Sequence, residues 1–542
     1  MKAYHVLEAG VAFGVAVMVG LTIVLHRQAS QVDTTAANLR IAASGAVETL
    51  DSTTYSSKTA SQTIGALIVG LYAKGAKGQV VNAIAESDPQ VSADRKTYIF
   101  TLRPYHWSNG QRVSAQDFVY AWRRLAAPQT KSRNASRIDF IKNGEAVRTG
   151  KLSPQTLGVK ALSKTRLQVS LVQANPYLKE ILADTPLLPI NSTFAQRWGK
   201  DYGSSATHIL VNGPYRLNGW SGPSDHNWRY VRNPTYYHQA RVQVKAIDFT
   251  QERDPNQAAA KFAKGKYDYA ALSPQQVPRF KGNRRLRTTA TTTEALLFFN
   301  TVTGPTTNGW LRKAIAQAYD KHAFTQSQLQ DGATPLNGLI PTGLVHMANG
   351  RGYRSATGQL LPYNLAKATA AWQRAKQQMG VNHLNLTLNI ADNDTAVLAG
   401  NFLKGQLEHN LPGLHIKLER VTLAQRVALE SAGKFELVFS TWTPSDSDPL
   451  NLLAFYQTGS RLNISGYTNA KFDQMAAAIE HAGSAPAKRL ALVQKAERYL
   501  MCESVPAAGF FQDGSAYLLS DHVTRLAIMP TGVVNYEYVR MR

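Results

Sequence analysis

Residues Ser92–Leu125 read SADRKTYIFTLRPYHWSNGQRVSAQDFVYAWRRL, and this stretch decides which fold the sequence predicts. Its first part, Thr97–Arg103, alternates and is rich in β-branched and aromatic residues, which is typical of a β-strand. Ser108–Gly110 (SNG) is a turn signal. Ser114 then precedes an amphipathic segment with Asp117 in its first turn, which predicts an N-capped helix. A strand, a turn and a helix in so short a span indicate an ordered α/β lobe.

Further along the chain, other segments also carry clear patterns. Ser61–Tyr72 has apolar residues at helical spacing and predicts a helix, and so does Tyr363–Met379. Asp394 is predicted to cap a helix over Thr395–Leu407. Leu414–Val421 alternates as a strand does. Strands and helices therefore alternate through the second half of the chain, as expected of an α/β lobe.

The composition bounds the size and class of the molecule. A chain of 542 residues, 44% hydrophobic and 18% charged, is globular and too long for one core, so two or three lobes are expected. The formal net charge is +24, but Lys and Arg are spread thinly, so nucleic acid is not expected as a partner. Attraction to an anionic cell envelope is the preferred interpretation, with a merely soluble basic surface as the alternative. The single cysteine, Cys502, excludes an intrachain disulfide and a cysteine-cluster metal site.

The N-terminal residues are set apart by an apolar run, Ala9–Leu25, whose length lies between that of a signal-peptide core and a short membrane span. We predict that residues 1–37 form an export signal or anchor followed by a polar linker. An uncleaved anchor at the extracellular face of the cell membrane and a cleaved, secreted form are the two alternatives. No cysteine follows Leu21 or Leu25, so the usual lipoprotein anchor is not expected.

The opening stretch also resembles a family signature. Its segments Leu102-Arg103, Trp107–Gly110 (WSNG) and Ser114–Arg124 (SAQDFVYAWRR) are similar to those of the extracellular solute-binding proteins of peptide ABC transporters, the oligopeptide-binding family. The resemblance implies an α/β fold like that of periplasmic binding proteins, of the type II, large peptide-binding class. Such a fold has two lobes with a hinge and a third, inserted subdomain.

The resemblance further implies how the chain is divided into lobes. Lobe I is expected to comprise residues 38–69, 206–296 and 515–542. The inserted subdomain is expected over residues 70–205, and lobe II over residues 297–514.

Trp442–Pro449 (WTPSDSDP) resembles a ligand-binding segment of the family, Trp-x-x-Asp-Tyr-x-Asp-Pro. In the family, the first Asp of this segment pairs with the free amino terminus of the peptide, because a desolvated ammonium needs a carboxylate. Here Ser445 stands at that position and Asp446 follows it, and a step of one residue reverses the side-chain direction on an extended segment. Recognition of the amine by Asp446 would require a rearranged loop. The resemblance implies ligand contact for Trp442 and Thr443 as well, with packing near the hinge as the alternative for Trp442.

A second group of candidates comes from the first lobe. Tyr55, Ser56, Ser57 and Lys58 are predicted to line the cleft, and Tyr120 to reach it from the helix of the opening stretch. Tyrosines also lie at lobe surfaces without any ligand, which is the alternative for Tyr55 and Tyr120.

The function implied by the resemblance is capture of oligopeptides outside the membrane, and their delivery to the permease of an ABC transporter by a monomeric protein. An enzyme is not expected, because the sequence has no His-Glu-x-x-His and no Gly-x-Ser-x-Gly motif, and Cys502 lies late in a helix where packing is its expected role. No cofactor is expected, and the histidines form no ligand-like cluster for a metal. A surface sensor or adhesin with altered or lost peptide binding is the alternative function.

Overall fold

The computed structural model describes residues 38–542 except residues 77, 346, 348, 349, 445, 446 and 484. The predicted signal or anchor, residues 1–37, lies outside the described residues. In the part of the chain that is described, no helix is both long enough and apolar enough to cross a membrane.

The strands of the described chain vary from short bridging pairs to two strands that each exceed a dozen residues. They are β1 (Leu39–Ala43), β2 (Tyr72–Lys74), β3 (Val80–Asn82), β4 (Gln90–Val91), β5 (Thr97–Thr101), β6 (Val159–Ser163), β7 (Arg166–Ser170), β8 (Tyr215–Asn218), β9 (Asn227–Arg232), β10 (Ala246–Gln251), β11 (Tyr269–Leu272), β12 (Leu286–Phe299), β13 (Thr334–Pro335), β14 (Leu384–Ala391), β15 (Leu414–Val421), β16 (Leu437–Trp442), β17 (Ala507–Leu519), β18 (Val523–Thr524), β19 (Ala527–Ile528), β20 (Val534–Asn535) and β21 (Arg540–Met541).

The helices lie between these strands and cover the faces of the sheets. They are α1 (Lys58–Leu67), α2 (Ala115–Ala126), α3 (Gly144–Arg148), α4 (Leu178–Ile181), α5 (Ser192–Trp198), α6 (Pro255–Ala263), α7 (Gly309–Gln317), α8 (Lys321–Ala323), α9 (Tyr353–Thr357), α10 (Leu365–Met379), α11 (Asp394–Asn410), α12 (Leu423–Ala432), α13 (Leu450–Leu453), α14 (Ala470–His481) and α15 (Pro486–Arg498).

The largest sheet has the strand order β15-β14-β16-β12-β17-β11-β1-β10-β9-β8, and β13 also pairs with β17. Its two ends contain parallel pairs, β14 with β15 and β1 with β10, whereas β12 and β17 pair antiparallel at its centre. The register of β12 against β17 shifts between Ala290 and Glu294. A separate sheet has the order β4-β5-β7-β6.

Two large sets of buried side chains lie on either side of this register shift. The first core consists of buried residues between Leu39 and Phe249 together with residues between Tyr517 and Val539. The second core consists of buried residues between Ala295 and Phe511. A smaller cluster packs around Phe262 and Leu518. β17 thus contributes to both large cores, whereas β12 extends from the second core to Leu286, which packs against the smaller cluster.

The opening stretch folds as predicted, into strand β5 and helix α2. The carboxylate of Asp117 holds the start of the helix, because it accepts hydrogen bonds from the amide of Ser114 at 2.9 Å and from the indole of Trp107 at 3.1 Å. Phe118 and Trp122 are fully buried. Burial of one such apolar ring contributes roughly 1.5–3 kcal/mol, so α2 is fastened to the first core mainly by its apolar face.

Helix α1 ends earlier than its apolar spacing predicts. The predicted helix continued to Tyr72, but the backbone of Ile68 is extended, with φ −130° and ψ 137°, and Tyr72 lies in β2. The side chain of Asn212 accepts a hydrogen bond from the amide of Val69 at 2.9 Å and donates one to its carbonyl at 3.2 Å. These two hydrogen bonds occupy the amide and the carbonyl of Val69, which would otherwise pair within another helical turn. The predicted helix was therefore wrong beyond Leu67.

Helix α10 is confirmed over Leu365–Met379 and begins two residues later than predicted, after its cap Asn364, and β15 is confirmed over Leu414–Val421. The predicted cap of α11 was wrong by one residue. The side chain of Asn393 accepts the hydrogen bond from the amide of Ala396 at 3.0 Å, and Asp394 is the first helical residue. Both residue types cap helices well, so the sequence pattern alone did not separate them.

Candidate functional site

A cavity of about 960 Å³ is lined by residues associated with both cores. The first wall is formed by α1, the segment 68–70, β2, parts of the segments 134–137 and 177–188, and the C-terminal segment 529–537. Thr292 of β12 joins this wall, since its amide donates a hydrogen bond to the carbonyl of Pro530 at 2.8 Å. The second wall is formed by the segment 343–345, Thr443, Pro444 and Ser447. The volume lies at the upper end of the range of small-molecule pockets, so the cavity is large enough for a ligand of several linked groups.

The first wall rests on backbone that buried polar groups hold in place. Asn212 is fully buried and fixes Val69, which lines the cavity. The side chain of Gln62 donates a hydrogen bond to the hydroxyl of Tyr536 at 2.7 Å, and both residues line the cavity. Helix α1 and the C-terminal segment are thereby joined into one surface.

The first wall also carries ionisable side chains, namely Lys74, Arg137, Glu180, Asp184 and Glu537. Arg137 and Asp184 form an ion pair with each other. Glu537 is almost fully buried, its burial raises the pKa of the carboxyl, and the guanidinium of Arg241 lies 3.8 Å from it. The cavity therefore has charge-bearing groups along its first wall, only some of which are neutralised by neighbours.

The second wall is supported from behind by one buried carboxylate. Glu497 is fully buried and accepts hydrogen bonds from the amides of Leu339 at 2.7 Å and Ile340 at 3.0 Å, and from the hydroxyl of Tyr353 at 2.8 Å. It also pairs with Arg354, whose guanidinium donates to the carbonyl of Ile340. This network fixes the segment that leads into the lining residues 343–345.

Gln512 of β17 connects the second wall to β12. Its side-chain amide donates hydrogen bonds to the carbonyl of Thr291 at 2.6 Å and to that of Thr342 at 2.8 Å. Its oxygen accepts from the amide of Thr342 at 2.9 Å. The neighbours of these threonines, Thr292 and Gly343, line the cavity, so Gln512 sets the spacing between them.

The two walls meet at Tyr177. The guanidinium of Arg489 lies 5.5 Å from the centre of the Tyr177 ring and forms a buried, bidentate pair with Asp448 at 2.7 and 2.9 Å. Burial, together with the charge of Asp448, raises the pKa of Tyr177 to about 12. Asp448 also accepts a hydrogen bond from the amide of Leu450 at 3.0 Å, at the start of α13.

The structure places Tyr55 and Thr443 on the cavity, one on each wall. The Thr443 hydroxyl lies 2.8 Å from that of Thr293. Ser445 and Asp446, the residues on which recognition of an amine was expected to depend, lie outside the described residues.

The other predicted site residues are placed beside the cavity rather than among the residues that line its described part. The amides of Ser56 and Ser57 donate to Glu48, and the Ser57 hydroxyl caps α1. Burial lowers the pKa of Lys58, and the charge of Asp513 opposes this shift.

Tyr120 and Trp442 are likewise absent from the described lining of the cavity. Tyr120 is half-buried, and the charges of Arg124 and Asp51 act on its hydroxyl. Trp442 is 39% exposed, and its ring packs edge-on against Phe455 with 4.9 Å between the ring centres.

Sequence reasoning missed the ionisable residues of the first wall. Arg137, Glu180 and Asp184 come from the predicted inserted subdomain, and Glu537 comes from the C-terminal end of the chain. Each is a single residue without a motif, and only the fold brings them to one surface. Within the described residues, no group of three or more His, Cys, Asp or Glu side chains is placed to hold a metal ion.

Solved structures resemble this chain over almost its whole length. "Listeria monocytogenes OppA bound to peptide" has a TM-score of 0.75 at 28% identity and covers 94% of this chain and 99% of its own. The "pheromone receptor PrgZ" has a TM-score of 0.76 at 28% identity and covers 93% and 99%. These likenesses confirm the predicted α/β fold of type II periplasmic binding proteins.

Comparison of the amino-acid sequence with known proteins identifies relatives of the same kind. The "dipeptide-binding protein" of Lactococcus lactis subsp. cremoris (strain MG1363) is 28% identical over 444 residues, which are 79% of this chain and 80% of the relative. The family model of the "bacterial extracellular solute-binding proteins, family 5 Middle" matches residues 79–463. The match spans well over half of the chain, so the protein belongs to this family of extracellular solute-binding proteins, as its opening stretch predicted.

Proposed function

We propose that this protein binds oligopeptides outside the cell membrane and delivers them to the permease of a peptide ABC transporter. The observation that carries the proposal is the 960 Å³ cavity between two cores, in a chain that belongs to a solute-binding family. Similar proteins named for peptide binding, one of them with a peptide bound, support peptides as the ligand class. A sensor or adhesin that has lost binding is not favoured, because the described cavity remains large.

The proposed role involves no bond chemistry. The thiol of Cys502 lies 3.5 Å from the carbonyl of Leu360, burial raises its pKa, and it is not among the described residues of the cavity lining. A thiol in such a setting is a poor nucleophile, because the thiolate is the reactive form. The protein is proposed to act as a monomer at the extracellular face of the membrane, anchored by its apolar N-terminal segment or secreted.

The proposed lobes follow the division expected from the sequence. Lobe I is residues 38–69, 206–296 and 515–542, with residues 70–205 inserted, and lobe II is residues 297–514. The register shift between Ala290 and Glu294 lies next to the point where β12 enters the second core at Ala295, and it supports a hinge there. Closure about such a hinge would enclose a ligand between the walls.

Native mass spectrometry of the purified full chain tests the proposal. Peptides of mixed sequence are expected to copurify, because hydrogen bonding to the backbone of a ligand carries little sequence preference. A peptide at 100 times its Kd would stabilise the folded chain by about 2.7 kcal/mol and raise the Tm. A chain that is consistently empty and shows no thermal shift with a peptide library would contradict the proposal.

A pair of glycine variants localises binding to the cavity. Gly65 lies on α1 and lines the cavity, and a Cβ added there would meet no atom within 4 Å. Gly65→Trp is therefore expected to fill the cavity and abolish peptide binding without loss of Tm. The matched control is Gly405→Trp on α11. A Cβ added at Gly405 also meets no atom within 4 Å, but Gly405 is not among the residues that line the cavity. Equal peptide binding by both variants would contradict the assignment of the site.

A further inference from the structure

Glu180 differs from the other acidic side chains of the first wall. Asp184 is paired with Arg137, and Glu537 lies near Arg241. The carboxylate of Glu180 is half-buried and has no hydrogen bond or ion pair with any described residue. A carboxylate on a cavity wall without a partner is able to pair with a cation or a hydrogen-bond donor that enters the cavity. A ligand in the cavity is the available source.

Tyr72 supplies a second, independent observation beside Glu180. Its side chain is 1% exposed and lines the cavity, yet its hydroxyl has no hydrogen-bond partner among the described residues. Burial raises the pKa of Tyr72, and the negative charges of Asp88 and Glu180 raise it further. The unpartnered hydroxyl therefore lies within the field of the Glu180 carboxylate. Buried polar atoms are normally satisfied, so an unpaired one on a cavity wall points to a partner that binds there.

Tyr177 is a second tyrosine whose hydroxyl is affected by the charge of Glu180. It also lines the cavity, and the charge of Glu180 contributes to its raised pKa. Aromatic faces attract cations, and the ammonium of Lys179 already lies 5.8 Å from the centre of the Tyr72 ring. Lys179 is itself paired with Asp88 at 2.6 Å, so its charge is taken up outside the cavity. A carboxylate that lines the same cavity as two tyrosines, and whose charge acts on both hydroxyls, is a suitable environment for a second ammonium.

We propose that Glu180, Tyr72 and Tyr177 form a subsite for a positively charged ammonium group of the bound peptide. The inference rests on the proposed function, since it assigns a specificity to the same cavity. The ammonium is either the amino terminus of the peptide or the side chain of a lysine, which share one chemistry. The subsite belongs to the first wall and is separate from the segment around Asp446.

Isothermal titration of the full chain with probe peptides of five alanines tests the subsite. The central alanine is replaced by lysine or by the uncharged norleucine. Each of these peptides is made once with a free and once with an acetylated amino terminus. The wild-type chain is expected to bind the peptide with the recognised ammonium roughly 10- to 100-fold more tightly than its uncharged match, as for hydrogen bonds to charged groups. Loss on acetylation identifies the amino terminus, and loss with norleucine identifies the lysine.

The variant Glu180→Gln keeps the shape and removes the charge. It is expected to reduce the preference for the ammonium to less than about threefold, and Tyr72→Phe is expected to reduce it in part. The matched control is Glu145→Gln, an exposed residue of the same region that does not line the cavity, and it should keep the wild-type preference.

Two results would overturn the subsite while leaving the proposed function intact. One is a wild-type chain that binds all the peptides equally well. The other is a Glu180→Gln variant that keeps the full preference. The first result is measured on the wild-type chain alone. It would therefore refute the subsite even if the Glu180→Gln variant did not fold. A wild-type chain that binds none of the peptides would instead refute the proposed function, and the subsite with it.

Discussion

The two walls of the cavity differ in where their charged side chains lie. The first wall presents ionisable side chains to the cavity, among them Glu180, Lys74 and Arg137. The described part of the second wall presents only uncharged residues, and its charged groups, Glu497 and Arg354, are buried behind the lining. Charge therefore faces the ligand on one side and supports the backbone on the other.

This difference has a physical reason. The segment before Gly343 has no helix or strand partner for the amides of Leu339 and Ile340, and a buried carboxylate satisfies them instead. Such a network stabilises one conformation only when every member has a partner. The first wall rests on regular elements such as α1 and β2, whose backbone amides are paired by the elements themselves, so a carboxylate such as Glu180 is not needed to support them.

The largest expected effect is on the support of the second wall. Glu497→Ala would leave the guanidinium of Arg354 and two amides without their buried partner. We expect the free energy of unfolding to fall by roughly 3–5 kcal/mol, measured by urea denaturation.

The control for Glu497→Ala is an exposed ion pair in the same part of the chain. Lys417→Ala breaks the pair with Glu419, in which the lysine side chain is 71% exposed. Exposed pairs contribute about 0–1 kcal/mol. Similar losses in the two variants would show that the second wall does not depend on its buried carboxylate.

A smaller effect is expected at β17, between the two walls, where Asp513 titrates. Burial first, and then the charge of Asp331, raises the pKa of Asp513 to about 7, against the opposing charge of Lys58. Between about pH 4 and 7 the folded chain keeps a proton that the unfolded chain has released, so stability falls as pH rises through this window.

The variant Asp513→Asn tests this titration. It is expected to flatten the decline of Tm between pH 4 and 8 and to raise the free energy of unfolding at pH 8 by roughly 1–2 kcal/mol. The expected gain is net of the lost attraction between the Asp513 carboxylate and Lys58. Parallel Tm curves for wild type and variant would exclude Asp513 as the titrating group.

The smallest expected effect concerns Trp442, which the family resemblance assigned to the ligand. Its ring packs on Phe455 outside the described lining, so Trp442→Ala is expected to change the Kd for a peptide by less than about threefold. Thr443→Val, which alters a residue that does line the cavity, is the comparison variant. A loss of tenfold or more in Trp442→Ala would restore the sequence-based assignment and place ligand contact on the second wall.

The sequence by itself determined the local structure of the opening stretch and the family. The contacts that cap α2 lie within a few residues of one another, Ser114 with Asp117 and Trp107 with Asp117. Short-range patterns of this kind are visible in a single sequence, and so are the strand β15 and the cap at Asn364. A signature of consecutive residues identifies a family for the same reason.

Only the tertiary structure decided where helix α1 ends and which side chains face the cavity. Asn212 stops the helix from 143 residues away, and Glu497 supports Leu339 from 158 residues away. Glu180 has no motif around it, and its place beside Tyr72 exists only because the first core folds the two segments together. Contacts over such separations depend on the packing of whole elements, which no local pattern encodes.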